Sequence, residues 1–367
     1  MVKENGSDEN IIIKNKKEGA TAGRLVHLDL LRILACFSVV MLHSSAQFWY
    51  DLPVQDADWL VANSYNAVSR FGVPVFVMLS GALFLSQKKE TDLKRLYLHN
   101  ILRLVVLYIV WCVLYGLFDC FTFSWSMLSP EDIFREIFSG RYHLWYLPML
   151  AGIYMLLPVL RSWISHARKE NLQYFLLLFF IFQIGKETCL ALRQSGGINF
   201  VWSMAKPDMV CGYLGYFVLG YYLVSFDIGK RLRRWIYAGG LFGIFANVAL
   251  GNFLSLRRGI PVAAIYDSFG IFTFLTTISL FLFFTGRMSR IHYSPGAAAV
   301  IREFSLATLG VYLMHIGLIE FLKPMGIHSM MFTPVVCIPA FALFCFVVCS
   351  AAAAVLRRIP FVGRYLC

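Results

Sequence analysis

Ten apolar stretches of membrane-crossing length recur along this chain, at about 29–49, 67–86, 101–120, 143–160, 172–185, 208–225, 235–255, 267–286, 303–322 and 334–356. That repetition leaves few folds open. Hydrocarbon offers no water to backbone N–H and C=O groups, so a spanning segment must be a helix or part of a closed barrel. No stretch shows the polar–apolar alternation of a barrel strand. The expectation is an all-α integral membrane protein with about ten transmembrane helices in one bundle. The composition agrees, since 59% hydrophobic and 15% charged residues exclude an ordinary soluble domain. The fifth stretch is the weakest, because Lys186 and Glu187 interrupt it early; it reads as a short helix whose end turns into a pocket.

The net charge of +12 would suit nucleic acid, but its distribution points elsewhere. Connections assigned to one side hold 22 of the 33 Lys and Arg residues, against 9 on the other side. Basic residues collect on the cytoplasmic side, so both termini are expected in the cytoplasm of a multi-pass cell-membrane protein that binds no nucleic acid. Residues 1–26 are polar and charge-rich and read as a disordered cytosolic tail; residues 27–367 read as one membrane domain. The first apolar stretch is too long for a signal-peptide core and is expected to be retained. Most of the nine cysteines sit inside apolar stretches, without Cys-x-x-Cys spacing, and read as packing residues; no metal site is implied.

The first stretch carries Asp29, Arg32 and His43, where lipid tolerates none of them. A helix turns about 100° and rises ~1.5 Å per residue, so Arg32 and His43 share one face about 16 Å apart. Asp29, one turn before Arg32, can pair with the guanidinium and orient it. A snorkelling arginine and a satisfied core histidine would explain the same residues. The third stretch carries Arg103 just after Lys94, Arg95 and His99, which places two arginines at one depth on the cytoplasmic side. Arginine binds phosphate in a bidentate way, and a phosphorylated ligand entering from the cytoplasm would give both a partner.

Histidine is the residue type best suited to general-base work at neutral pH, and His43, His143 and His315 are the candidates. His43 is favoured because it shares a face with Arg32. The outer connections carry Trp49, Tyr50, Arg70, Arg141, Tyr142, His143, Trp145 and Tyr146, which suit a sugar-like ligand. Interfacial anchoring explains the aromatic members equally well.

Leu28-Asp29-Leu-Leu-Arg32 with His43, Val73-Pro74-Val-Phe-Val-Met-Leu-Ser80-Gly81, Leu102-Arg103-Leu104, His143-Leu-Trp145-Tyr146-Leu-Pro148 and the run from Ser305 to His315 together resemble the membrane-bound acyltransferase-3 family. The resemblance extends from residue 26 onward and is strongest to the stand-alone surface-polysaccharide O-acetyltransferases, such as the type acting on enterobacterial common antigen. It implies transfer of an acyl group, usually acetyl, from cytoplasmic acetyl-CoA or another acyl-CoA to a hydroxyl of a cell-surface or lipid-linked glycan. In that reading acyl-CoA is a donor substrate, with no permanently bound cofactor. His43 is catalytic and Asp29 orienting. Arg32 and Arg103 bind CoA phosphates, with Lys94, Arg95 and His99 in support, and Arg70, His143, Trp145, Tyr146 and His315 face the acceptor. Where the family often has a second arginine three residues before Arg103, this chain has Asn100. The rival from another class is a transporter or exporter of a small polar substrate or glycan intermediate. No internal repeat supports it, and the charges gather on the first and third helices.

Overall fold

The computed structural model describes residues 25–87, 92–122, 140–192, 212–359 and 363, and among them every regular element is helical. The first helix, α1, is Val26–Ser45. The others are α2 (Ala57–Leu85), α3 (Leu93–Asp119), α4 (Tyr142–Met155), α5 (Leu157–His166), α6 (Lys169–Leu192), α7 (Tyr213–Ser225), α8 (Lys230–Arg258), α9 (Ala264–Arg290), α10 (Pro295–Met325) and α11 (Pro334–Leu356). Among the described residues eight of these are long and apolar enough to cross a membrane, and α4 with α5 forms a ninth, bent candidate. The protein is therefore an all-α integral membrane protein. The tenth expected span is α7, whose 13 residues come to only about 20 Å, short of a ~30 Å hydrocarbon layer. Most of the expected tail, residues 1–24, and the segment 193–211 lie outside the described residues.

Several boundaries move outward from the apolar stretches, for a common reason: hydropathy marks what meets lipid, whereas the helix continues wherever its polar side chains find partners. The clearest case is α2, which begins at Ala57 although residues 50–70 read as an outer connection. Its polar residues Asn63 and Asn66 are buried and bonded within the bundle. Arg70 thus lies inside a 29-residue helix, at a 3₁₀ step over Ser69–Phe71. Similarly, α3 starts at Leu93, so Lys94, Arg95 and His99 belong to the helix, and a π-turn at Leu96–Ile101 alters its register ahead of Arg103. The expected short fifth span is corrected as well. α6 continues through a π-turn at Phe180–Gly185 to Leu192, and Lys186 and Glu187 form an ion pair at 3.3 Å. The 48° bend between α4 and α5 falls where Pro158 has no N–H to give the Tyr154 carbonyl.

Packing centres on α1, which touches α2, α10 and α11. Its approach to α2 is so close that a Cβ at Gly72 would sit 2.8 Å from the Ala35 carbonyl oxygen. α2 and α7 cross on two glycines, since a side chain at Gly81 would collide with the Phe217 carbonyl and one at Gly220 with that of Met78. Small residues let helix backbones meet in lipid, where no hydrophobic force drives helices together. Outward faces carry large apolar groups such as Trp235, Phe242 and Phe245 on α8 and Val336, Leu343 and Phe344 on α11. Cys36, Cys112, Cys337, Cys345 and Cys349 are buried and unoxidised, as packing residues should be.

Candidate active site

The site is built from α1 outward. Asp29 is buried, and its carboxylate accepts from Arg32 Nη1 at 3.0 Å and from Ser305 Oγ at 2.6 Å. Arg32 Nη1 also donates to Ser305 Oγ at 3.0 Å, closing a triangle between α1 and α10. The guanidinium points into the bundle, and 24% of its side chain remains exposed. The expected Asp29–Arg32 pair is present, and a hydroxyl on another helix holds the guanidinium as well. Arg103, Lys94, Arg95 and His99 are all exposed on α3, in a different setting from Arg32.

Three turns along α1, the imidazoles of His43, His143 and His315 converge from α1, α4 and α10. Ring centroids of His43 and His315 are 5.2 Å apart, those of His143 and His315 5.3 Å, and those of His43 and His143 6.5 Å. All three histidines singled out in the sequence therefore belong to one cluster. Exposure separates their roles, because His315 is 0% and His143 3% exposed while His43 keeps accessible surface.

The tautomer of His315 follows from its partners. Its Nδ1 lies 3.1 Å from the Val311 carbonyl and 2.8 Å from that of Tyr312. Carbonyl oxygens only accept, so Nδ1 carries the proton and Nε2 keeps its lone pair in the neutral ring. That Nε2 is buried without a hydrogen-bond partner, as are both ring nitrogens of His143. Unpartnered polar atoms in a core are costly, and their concentration beside His43 is what a site for proton transfer would show.

A line of tyrosines joins the two charged ends. Tyr146 and Tyr154 lie within electrostatic reach of Arg32 and of the Ser80 hydroxyl. Tyr146 packs on Tyr312 at 5.6 Å, and Tyr312 on His143 at 5.6 Å. The Tyr312 hydroxyl donates to the His143 carbonyl at 2.5 Å, which fixes α10 against the start of α4. His43, Arg70 and Tyr146 are half-buried, so each keeps some accessible surface within the bundle.

The aromatic candidates divide. Trp49 is a core residue instead of an interfacial anchor: its Nε1 donates to Asn63 Oδ1 at 2.9 Å and its ring stacks on Trp59. Tyr50 and Tyr142 are exposed, and Tyr142 packs on His43 at 5.4 Å, at the outer rim of the cluster. Trp145 is 43% exposed and leans on Tyr213 at 5.4 Å. Arg141 gains a role the sequence reading did not assign. Its Nη2 meets Asp119 at 2.5 Å and Glu320 at 2.9 Å, and its guanidinium lies over the Tyr115 ring. Asp119 and Glu320 are acids inside apolar stretches, the same signal that singled out Asp29. Tyr312 had no such signal, since tyrosine is ordinary in a membrane helix.

A helical bundle that gathers three imidazoles, a buried Asp–Arg pair and a line of packed tyrosines in its interior defines a multi-pass membrane protein with a polar interior. The chain belongs to the acyltransferase-3 family: the family profile, described as an acyltransferase domain, matches residues 25–355. The protein is thus a membrane acyltransferase. No curated protein and no solved structure matches it.

Proposed function

We propose that this acyltransferase moves an acetyl or other short acyl group from cytoplasmic acyl-CoA to a hydroxyl of a lipid-linked or cell-surface glycan, with His43 as the catalytic base. The observation that carries the reading is the exposure pattern of the histidine cluster. Of the three histidines only His43 keeps accessible surface, and it lies on the same helix as the oriented Arg32, about 16 Å away along the axis. An extended pantetheine arm has that reach.

In this reading the nucleotide end of the donor rests at the Arg32 end, where the exposed Lys94, Arg95, His99 and Arg103 of α3 supply positive charge for its phosphates. Arg32, fixed by Asp29 and Ser305, meets the donor without reorganising. The thioester then lies beside His43, and the acceptor hydroxyl arrives from the side of Tyr142 and Trp145. His43 takes the hydroxyl proton as the oxygen attacks the thioester carbonyl. The carbon–sulfur bond breaks, and the departing thiolate recovers the proton. His315, whose ring packs 5.2 Å from that of His43, holds the His43 ring in place. A cell-membrane location with both termini cytoplasmic follows from the basic connections.

The test is purified protein in detergent with labelled acetyl-CoA and a set of lipid-linked sugars, read as CoA release and labelled glycan. His43→Ala is expected to lower turnover by ~10²-fold or more, the usual contribution of a positioned base, with acetyl-CoA binding intact. Full turnover in that variant would remove His43 from the chemistry.

A further inference from the structure

Arg70 is held differently from Arg32 and Arg141. It lies in the interior of the 29-residue α2, and its neighbours hold it without neutralising it. Its Nε donates to Asn66 Oδ1 at 2.9 Å, an uncharged acceptor one turn away. Its guanidinium carbon sits 5.2 Å from the centroid of the Tyr266 ring, a cation–π contact. Asp267, whose charge reaches Arg70, is exposed and accepts the Phe269 N–H at 3.0 Å; among the described residues no ion pair joins it to Arg70. Arg32 and Arg141, by contrast, each meet a carboxylate directly.

The cradle beneath Arg70 is rigid. The Tyr266 hydroxyl and Trp49 Nε1 both donate to Asn63 Oδ1, and Asn63 Nδ2 donates to Asn252 Oδ1 at 2.7 Å. Asn252 in turn donates to Ser64, and Trp59 Nε1 to the Trp49 carbonyl. Four elements are tied together to hold one ring under one guanidinium. The guanidinium keeps part of its surface accessible, within electrostatic reach of His43, Tyr213 and Tyr50.

A cation inside a membrane bundle that no carboxylate among the described residues bonds directly is costly, and one held in place with accessible surface can take an anion. We infer that Arg70 is an anion subsite that binds a carboxylate or phosphate group of the substrate next to His43, so that the enzyme selects a negatively charged reactant. The tyrosine faces beside it suit a sugar ring, which makes an acidic or phosphorylated glycan unit the first source of that group. A dicarboxylic acyl chain on the donor has the same chemistry and is the second. The inference rests on the acyl-transfer reading for the identity of the reactants, but the subsite itself is read by binding alone.

The test measures binding by thermal shift and tryptophan fluorescence in detergent, with wild type, Arg70→Gln and Arg70→Lys. Glucuronide, galacturonide and sugar-1-phosphate probes are compared with neutral glucoside and galactoside, and succinyl-CoA is compared with acetyl-CoA. Wild type is expected to favour at least one anionic probe by ~10-fold or more, the scale of a charge-assisted hydrogen bond. Arg70→Gln should erase that preference and Arg70→Lys retain part of it. A preference in the glycan arm assigns the anion to the acceptor, and one in the succinyl arm assigns it to the acyl group. Equal binding of charged and neutral probes in both arms, or a preference that survives Arg70→Gln, overturns the subsite. Should Arg70→Gln fail to fold, Arg70→Lys carries the assignment: an anionic preference undiminished in that variant overturns the subsite as well. CoA release from acetyl-CoA, followed separately in wild type, reports on the acyl-transfer reading alone.

Discussion

Ser305 occupies a pivotal position for a residue with so small a side chain. Its hydroxyl donates to Asp29 and accepts from Arg32, so one oxygen ties the orientation of the α1 guanidinium to α10. Ser305→Ala keeps the Asp29–Arg32 pair and removes only the bridge, so the expected loss of stability is about 1 kcal/mol, with a rise in KM for acyl-CoA and kcat nearly unchanged. Asp29→Asn removes the carboxylate itself and should weaken donor binding more than Ser305→Ala does. Arg32→Lys should rescue poorly, because an ammonium cannot fork to two partners at fixed angles. Donor affinity measured by equilibrium binding on the three variants checks that order, and wild-type affinity in Asp29→Asn would separate the triangle from donor recognition. At His315, Gln can still offer an acceptor toward His43 while Ala cannot. His315→Gln should therefore keep more turnover than His315→Ala, and equal loss in both would make His315 a packing residue.

At the scale of the helix, the crossing of α2 and α7 sets where Arg70, Ser80 and the tyrosines meet. Gly81 and Gly220 each face the other helix's backbone, and carbonyl groups cannot move aside as a side chain can. Gly81→Val is expected to destabilise the protein by at least ~1–3 kcal/mol, as overpacking does, whereas Gly152→Ala, with nothing near its Cβ position, should be neutral. Melting temperatures in detergent distinguish the two. These elements were unequally legible in the sequence. Nearly every helix was visible because lipid imposes apolarity on its outer face. The start of α2 was not, since Asn63 and Asn66 look like loop residues until Trp49, Tyr266 and Asn252 are seen to satisfy them. The break before α5 was hidden in another way: Pro158 marks a possible bend, but hydropathy runs straight through it. The site followed the same rule. An ionisable group in an apolar run announces itself, so Asp29, Arg32, His43, His143 and His315 were found, while their convergence from three helices depends on packing that no local pattern encodes. Tyr312 and the Arg141–Asp119–Glu320 cluster show the cost of searching one helix at a time.

For the whole molecule, the arrangement of charge bears on the direction of chemistry. Exposed cations of α3 and the Asp29–Arg32–Ser305 triangle mark one end of the polar interior, and the histidine cluster, Arg70 and the Arg141 acids lie toward the other. The tyrosines lie between them, and under the proposed reaction donor and acceptor enter from opposite faces of the membrane. A soluble acyltransferase would gain nothing from such a division. In proteoliposomes with oriented protein, labelled glycan should therefore form when acetyl-CoA is on the side of the α3 cations and the acceptor on the side of Tyr142, and should not form when the two are exchanged. Blocking the donor end should have the same effect. A cysteine placed at Lys94, exposed on α3, and modified by an impermeant thiol reagent from the donor side should raise the KM for acetyl-CoA, whereas the same reagent on a cysteine at Tyr50 should affect the acceptor alone. Equal product with both substrates confined to either single side would mean that the two ends of the bundle open to the same compartment, and the transmembrane route from Arg32 to His43 would have to be abandoned.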